Sequence, residues 1–136
     1  MIYTNSDGGS RGNPGPGAIG ALVRHEESIL EMQSEKIGDN VTNNVAEYKA
    51  LIKALEIAQK YAKEQLTCIL DSELVVKQLL GEYKVVNPEL LKLFKRVQEL
   101  QENFNKIKYV HVSRWNNFQQ IVDALVKMEL HTKKDI

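Results

Sequence analysis

The sequence has one cysteine, one tryptophan and three prolines, and no surplus of either charge: 18 lysines and arginines face 18 aspartates and glutamates. Its only cysteine, Cys68, lies in the apolar run TCIL. That excludes an internal disulfide framework and reads as a buried thiol in a reducing, cytoplasmic setting. No apolar run is long enough to cross a bilayer, and no basic start followed by an apolar stretch marks a signal peptide. With a formal net charge of zero, nothing global announces a polyanion partner, so any nucleic-acid footprint has to be local. Nor do the single cysteine and three histidines form a cluster suited to zinc.

What is present fits a globular chain. Its 136 residues, 43% hydrophobic and 26% charged, suit one domain spanning 1–136 with a real core. Six of the eight glycines fall between Gly8 and Gly20, together with Pro14 and Pro16, and mark a tight reversal after a first strand at 2–7. AIGALVRHE and SILEMQSEKI alternate apolar with polar residues and predict two antiparallel strands. TNNVAEYKALIKALEIAQKYAKEQ predicts a long helix capped by Thr42 or an adjacent asparagine. LTCILD and IKYVHV read as short strands. SELVVKQLLG, NPELLKLFKRVQELQENF and QIVDALVKMEL read as helices, the second with Asn87 as cap and Pro88 in its first turn. The order βββαβααβα implies an α/β fold, one mixed sheet with helices on its faces.

Against this frame four acids are oddly placed. Asp7 stands where a strand gives way to bare glycine backbone, and Glu47 opens the apolar stripe of Ala50, Leu51, Ala54, Leu55 and Ala58. Asp71 closes the apolar run CILD, and Asp123 sits in IVDALV beside Val122 and Val126. Each has an ordinary explanation as well: Glu47 and Asp123 as first-turn helical acids, Asp71 as a cap. Taken together, they are four carboxylates at the edge of buried surface, from four elements, with no lysine or arginine set in sequence to neutralise them. A hard divalent cation would do so, and oxygen-only ligands suit Mg²⁺ or Mn²⁺. Carboxylates sharing two ions about 3.5–4 Å apart are the apparatus of in-line phosphoryl displacement.

DGGSRGNPGPG, TNNVAEYKALIKALEIA, DSELVVKQLLGEYKV, NPELLKLF and the VDALV segment resemble, in order and spacing, the motifs of type 1 ribonuclease H along nearly the whole chain. The resemblance implies a ribonuclease H-like fold: a five-stranded mixed sheet, three strands antiparallel and then two parallel, flanked by helices. It also implies metal-dependent endonucleolytic hydrolysis of the RNA strand of an RNA–DNA hybrid, leaving 5′-phosphate and 3′-hydroxyl ends. On the same ground Asp7, Glu47, Asp71 and Asp123 would bind two Mg²⁺ or Mn²⁺ ions, and the small residues after Asp7 would leave room for the RNA backbone. His111 would assist proton movement or product release, although a strand histidine with a satisfied ring is the plain alternative. Asn13, Asn43 and Asn44 would read the minor groove, and Thr42 and Asn87 would hold a phosphate of the DNA strand. Turn formation and helix capping are the structural alternatives for these five.

The chain also departs from the family pattern. His111 to Asp123 is two residues longer than usual, with Trp115 and Phe118 in the extra length. TNS before Asp7 is polar for a central strand and suggests a bulge. LLGEYKVVNPELL leaves no room for a basic protrusion, and a strand beginning at residue 2 leaves none for a separate hybrid-binding domain. Lys84, Lys92, Lys95 and Arg96 offer a modest patch, with Arg11 and Arg114 nearer the expected site. The expectation is a monomer with a hybrid duplex as partner, no protein partner and no membrane. Two other readings stay open: another nuclease of the same fold (resolvase or exonuclease class), or a non-catalytic hybrid-binding domain.

Overall fold

The computed structural model describes residues 1–131. Strands β1 (Ile2–Ser10), β2 (Gly15–His25), β3 (Ser28–Val41), β4 (Gln65–Leu70) and β5 (Lys106–His111) form one sheet in the order β3-β2-β1-β4-β5. Pairings β1–β2 and β2–β3 are antiparallel, and β1–β4 and β4–β5 are parallel. Helices α1 (Asn43–Ala58), α2 (Glu73–Leu79), α3 (Pro88–Gln101) and α4 (Asn117–His131) complete the expected order. No helix among the described residues is long and apolar enough to cross a membrane.

The core gathers where the patterns point. The stripe of α1, including Tyr48, Leu51 and Leu55, packs with Leu66 and Leu70 of β4, Val75 of α2 and Val97 of α3. Alternation along β1 sends Thr4, Ser6 and Gly8 to the face covered by α1, and Asn5, Asp7 and Gly9 to the face covered by α4. Burial of both faces explains why β2 is buried almost throughout while β3, at the sheet edge, is mostly exposed.

Several boundaries differ from expectation for local reasons. The glycine segment is mostly strand: Gly8, Gly9 and Ser10 pair with Ile19, Ala18 and Gly17, so the connecting loop shrinks to 11–14. Pairing with β2 carries β3 through Gly38 to Val41, beyond the expected end of SILEMQSEKI at Ile37. Helix α1 stops at Ala58. The chain then turns, and Lys60 Nζ (2.7 Å) and the Tyr61 hydroxyl (2.8 Å) both reach the Glu31 carboxylate on β3. No bulge interrupts the pairing of β1 with β2; the irregularities lie between β2 and β3.

Candidate active site

Asp7, Glu47 and Asp71 meet at one end of the sheet, with a carboxylate oxygen of each within 4.8 Å of the others. Two close backbone approaches make this possible. A Cβ on Gly8 would stand 2.2 Å from the Ala46 carbonyl oxygen, so only glycine lets the start of α1 press against β1. There the Gly8 N–H donates to Glu47 Oε1 at 2.6 Å. The bare backbone at Gly8 thus makes room for a helix. On the opposite face Gly20, paired with Asp7, would carry a Cβ 2.8 Å from the Val122 carbonyl oxygen, which lets α4 approach immediately before Asp123.

Asp71 follows β4 directly. The capping of α2 falls to Ser72, whose hydroxyl accepts from Val75 N–H, so Asp71 is not spent as a cap. Asp7 and Glu47 are 8% and 9% exposed, and Asp71 is half-buried. Burial, reinforced by the Asp71 charge, pushes the Asp7 carboxyl up to about 8. Burial and then Asp7 raise Glu47 well above its ordinary range, and burial also raises Asp71. Among the described residues no lysine or arginine pairs with any of the three. A cluster of hard, anionic oxygens that burial forces towards protonation, with no cation beside it, fits a divalent metal ion.

Asp123 stands beside this group. Its carboxylate reaches towards Asp7, while Lys127 Nζ holds it at 3.0 Å one helical turn on. The reading that no cation is placed to neutralise the acids therefore fails for Asp123, because i and i+4 share a helix face. His111 ends β5, exposed, paired with Leu70 one residue before Asp71, and stays outside the group of three.

Asn13, Thr42, Asn43, Asn44 and Asn87 all line one depression of about 410 Å³, with Val45, Glu89 and Leu90. The N-termini of α1 and α3 open into it. Capping holds several of these groups: Thr42 Oγ1 accepts from Val45 N–H, and Asn87 Oδ1 accepts from Glu89 and Leu90 N–H. Asn13 Oδ1 accepts from Asn43 N–H at 3.0 Å, and Asn43 Oδ1 accepts from Ser10 N–H at 3.0 Å, which ties the loop to the helix start. Of the cations, Arg96 is engaged by Glu56 and Glu99, and Arg114 lies over the Trp115 ring. Arg11 lines a separate small cavity with Lys36, Asp39 and Glu129.

The long loop before Asp123 is partly helix. Helix α4 begins at Asn117, three residues before the expected start, with Asn116 Oδ1 accepting from Phe118 and Gln119 N–H. This first turn carries a residue the sequence reading passed over. Gln119 is fully buried; its Nε2 donates to the Ser6 carbonyl at 2.7 Å and its Oε1 accepts from Asn5 Nδ2 at 3.2 Å. Asn5 Oδ1 in turn accepts from Arg24 Nε at 2.9 Å, and the Arg24 guanidinium lies between the rings of Tyr3 (4.5 Å) and Phe118 (4.0 Å). These contacts explain how Asn5 is accommodated in a central strand without a bulge, whereas the hydroxyls of Thr4 and Ser6 are buried without a hydrogen-bond partner. The signal was there: Gln119, Val122, Asp123 and Val126 share a helix face.

The family described as reverse transcriptase-like matches residues 5–129. A bifunctional protein of Mycobacterium tuberculosis, Rv2228c, is 42% identical over 118 residues, covering 85% of this chain; the chain spans about a third (32%) of that protein's length. Ribonuclease HI of Halobacterium salinarum is 39% identical over 130 residues, covering 95% of this chain and 64% of that protein. Among solved structures, LC11-RNase H1 in complex with RNA/DNA hybrid superposes with a TM-score of 0.87 at 34% identity, covering 96% of each chain. The sheet order, the clustered carboxylates and these likenesses lead to one assignment: the chain belongs to the ribonuclease H family.

Proposed function

We propose that this chain acts as a single ribonuclease H domain, an endonuclease that hydrolyses the RNA strand of RNA–DNA hybrids to 5′-phosphate and 3′-hydroxyl ends. The observation that carries the reading is the convergence of Asp7, Glu47 and Asp71 within 4.8 Å at the sheet end, buried and without a cation. These residues, joined by Asp123, would hold two Mg²⁺ or Mn²⁺ ions, which supply an activated water and charge stabilisation for an in-line displacement. The chain's own part is to fix the carboxylates rigidly and to orient the duplex. Glu47 is anchored by the Gly8 N–H, and Asp71 is left free by the Ser72 cap. The free amide NH₂ groups of Asn13 and Asn43, with Asn44, suit base edges and 2′-hydroxyls of the minor groove. Helix starts at Thr42 and Asn87 suit a phosphate. Exposed His111, paired with the residue before Asp71, would carry a proton to or from product. The domain would work as a monomer in the cytoplasm, in keeping with its lone buried Cys68.

The test is cleavage of a labelled hybrid beside matched double-stranded RNA and DNA, with Mg²⁺, Mn²⁺ or EDTA. Cutting confined to the RNA strand of the hybrid and abolished by EDTA is expected. Asp7→Asn and Asp71→Asn should abolish it while hybrid binding survives, and Asp123→Asn should lower it less, with partial rescue by Mn²⁺. Binding without cutting under all metals would sink the enzymatic reading in favour of a hybrid-binding domain, and cleavage of branched or single-stranded DNA would favour another nuclease class.

A further inference from the structure

We infer that Gln119 is a positioning residue for the carboxylate cluster, held in place by Asn5 and, through it, by Arg24. The inference rests on the metal-binding reading of that cluster. Its ground is geometric. Gln119 projects from α4 to the backbone carbonyl of Ser6, the residue immediately before Asp7 and the partner in the sheet of Leu70, which immediately precedes Asp71. One buried side chain thus braces the end of β1 that presents Asp7, at the point where it runs beside the end of β4 that presents Asp71. The brace is specific, because the amide's orientation is set from behind: Asn5 Nδ2 donates to Oε1, so the NH₂ end must face Ser6. Asn5 is oriented the same way, since Arg24 Nε can only donate and so claims its carbonyl oxygen.

Arg24 has little freedom to let go. It is buried, its Nη1 donates to the Glu26 carbonyl at 2.6 Å, and rings stack on it from β1 and α4. Phe118 and Gln119 belong to the same first turn of α4. The turn that closes over Arg24 is therefore the turn that delivers the amide. A hydrocarbon of equal size at 119 would fill the space but leave the Ser6 carbonyl and the Asn5 amide without partners in a buried site, and both strand ends would relax.

The experiment compares Gln119→Leu, Gln119→Asn and Arg24→Lys with wild type and with Val97→Ala, a core truncation on α3. Mn²⁺ affinity is read by calorimetry without substrate, Tm in EDTA, and kcat and KM on a hybrid. Gln119→Leu should weaken Mn²⁺ binding and lower kcat by about 10–100-fold with KM nearly unchanged, the range found when partners of metal ligands are lost. Gln119→Asn keeps an amide and should retain more of both than leucine does. Arg24→Lys should move in the same direction by a smaller factor. Val97→Ala should lower Tm while leaving Mn²⁺ affinity intact. The inference is overturned if Gln119→Leu binds Mn²⁺ as wild type does, or if asparagine is no better than leucine. Should Gln119→Leu not fold, the asparagine and Arg24→Lys variants carry the test, and wild-type Mn²⁺ affinity in both overturns it. Failure of wild type to bind Mn²⁺ overturns the metal reading as well, and is told apart by that arm alone.

Discussion

Asp7 carries the strongest consequence of burying charge without a partner. In the metal-free protein its carboxyl holds a proton up to about pH 8, against an ordinary value of 3.8 in the unfolded chain. Folding therefore takes up a proton between those two values. The sign follows: stability is fully present below about pH 4 and falls as pH rises towards 8, by up to about 1.4 kcal/mol per pH unit for one proton. Glu47 and Asp71, also raised, act in the same direction. Calorimetry in EDTA should show Tm falling across this window, and added Mg²⁺ should restore it at the upper end. Asp7→Asn should flatten the dependence and raise the metal-free Tm at pH 8 by several degrees, about 4 °C for each kcal/mol of repulsion relieved. A Tm that climbs with pH in EDTA would contradict this account of the cluster.

The helices reach the carboxylates only because two glycines let them. At Gly8 a methyl group would meet the Ala46 carbonyl at 2.2 Å, which is backbone and cannot swing aside. Gly8→Ala should therefore push the first turn of α1 outward, cost about 1–3 kcal/mol and move Glu47 off Asp7. A displacement near 1 Å lowers turnover by about 100-fold. Gly81 is the matched control. Its φ of +81° suits glycine, but a Cβ there meets nothing within 4 Å. Gly81→Ala should cost about 1 kcal/mol and leave cleavage unchanged. Paired denaturation and turnover measurements separate the two, and equal loss of activity in both would show that the approach of α1 is not what sets the site.

Across the whole molecule the charges cancel, and several cations are already engaged: Lys53 by Glu35, Lys60 by Glu31, Arg96 by Glu56 and Glu99, Lys127 by Asp123. Hybrid binding should then be weak and governed by a few phosphate contacts. Affinity measured by fluorescence anisotropy should fall on the order of 10³-fold between about 50 and 200 mM salt. A flat salt response would mean that amide contacts in the asparagine-lined depression carry the binding.

Much of this was legible in the chain. Periodicity of 2 and of 3.6 residues announced the strands and helices, because side-chain direction repeats with backbone geometry. A carboxylate set on an apolar stripe, as at Glu47, announced a buried acid. Caps at Thr42 and Asn87 were legible for the same local reason. What lay beyond local pattern depended on partners distant in sequence. The run from Gly8 to Ser10 is strand because β2 pairs with it, and β3 runs to Val41 because its pairing with β2 continues past Ile37. Polar Asn5 sits in the sheet centre because Gln119, more than 110 residues on, and Arg24 satisfy its amide. Residue types and their periods fixed which surfaces had to be buried. Only the packing of α1 and α4 against opposite faces of β1 decided which carboxylates met, since steric room and hydrogen-bond satisfaction are properties of the assembled neighbours and not of any one segment.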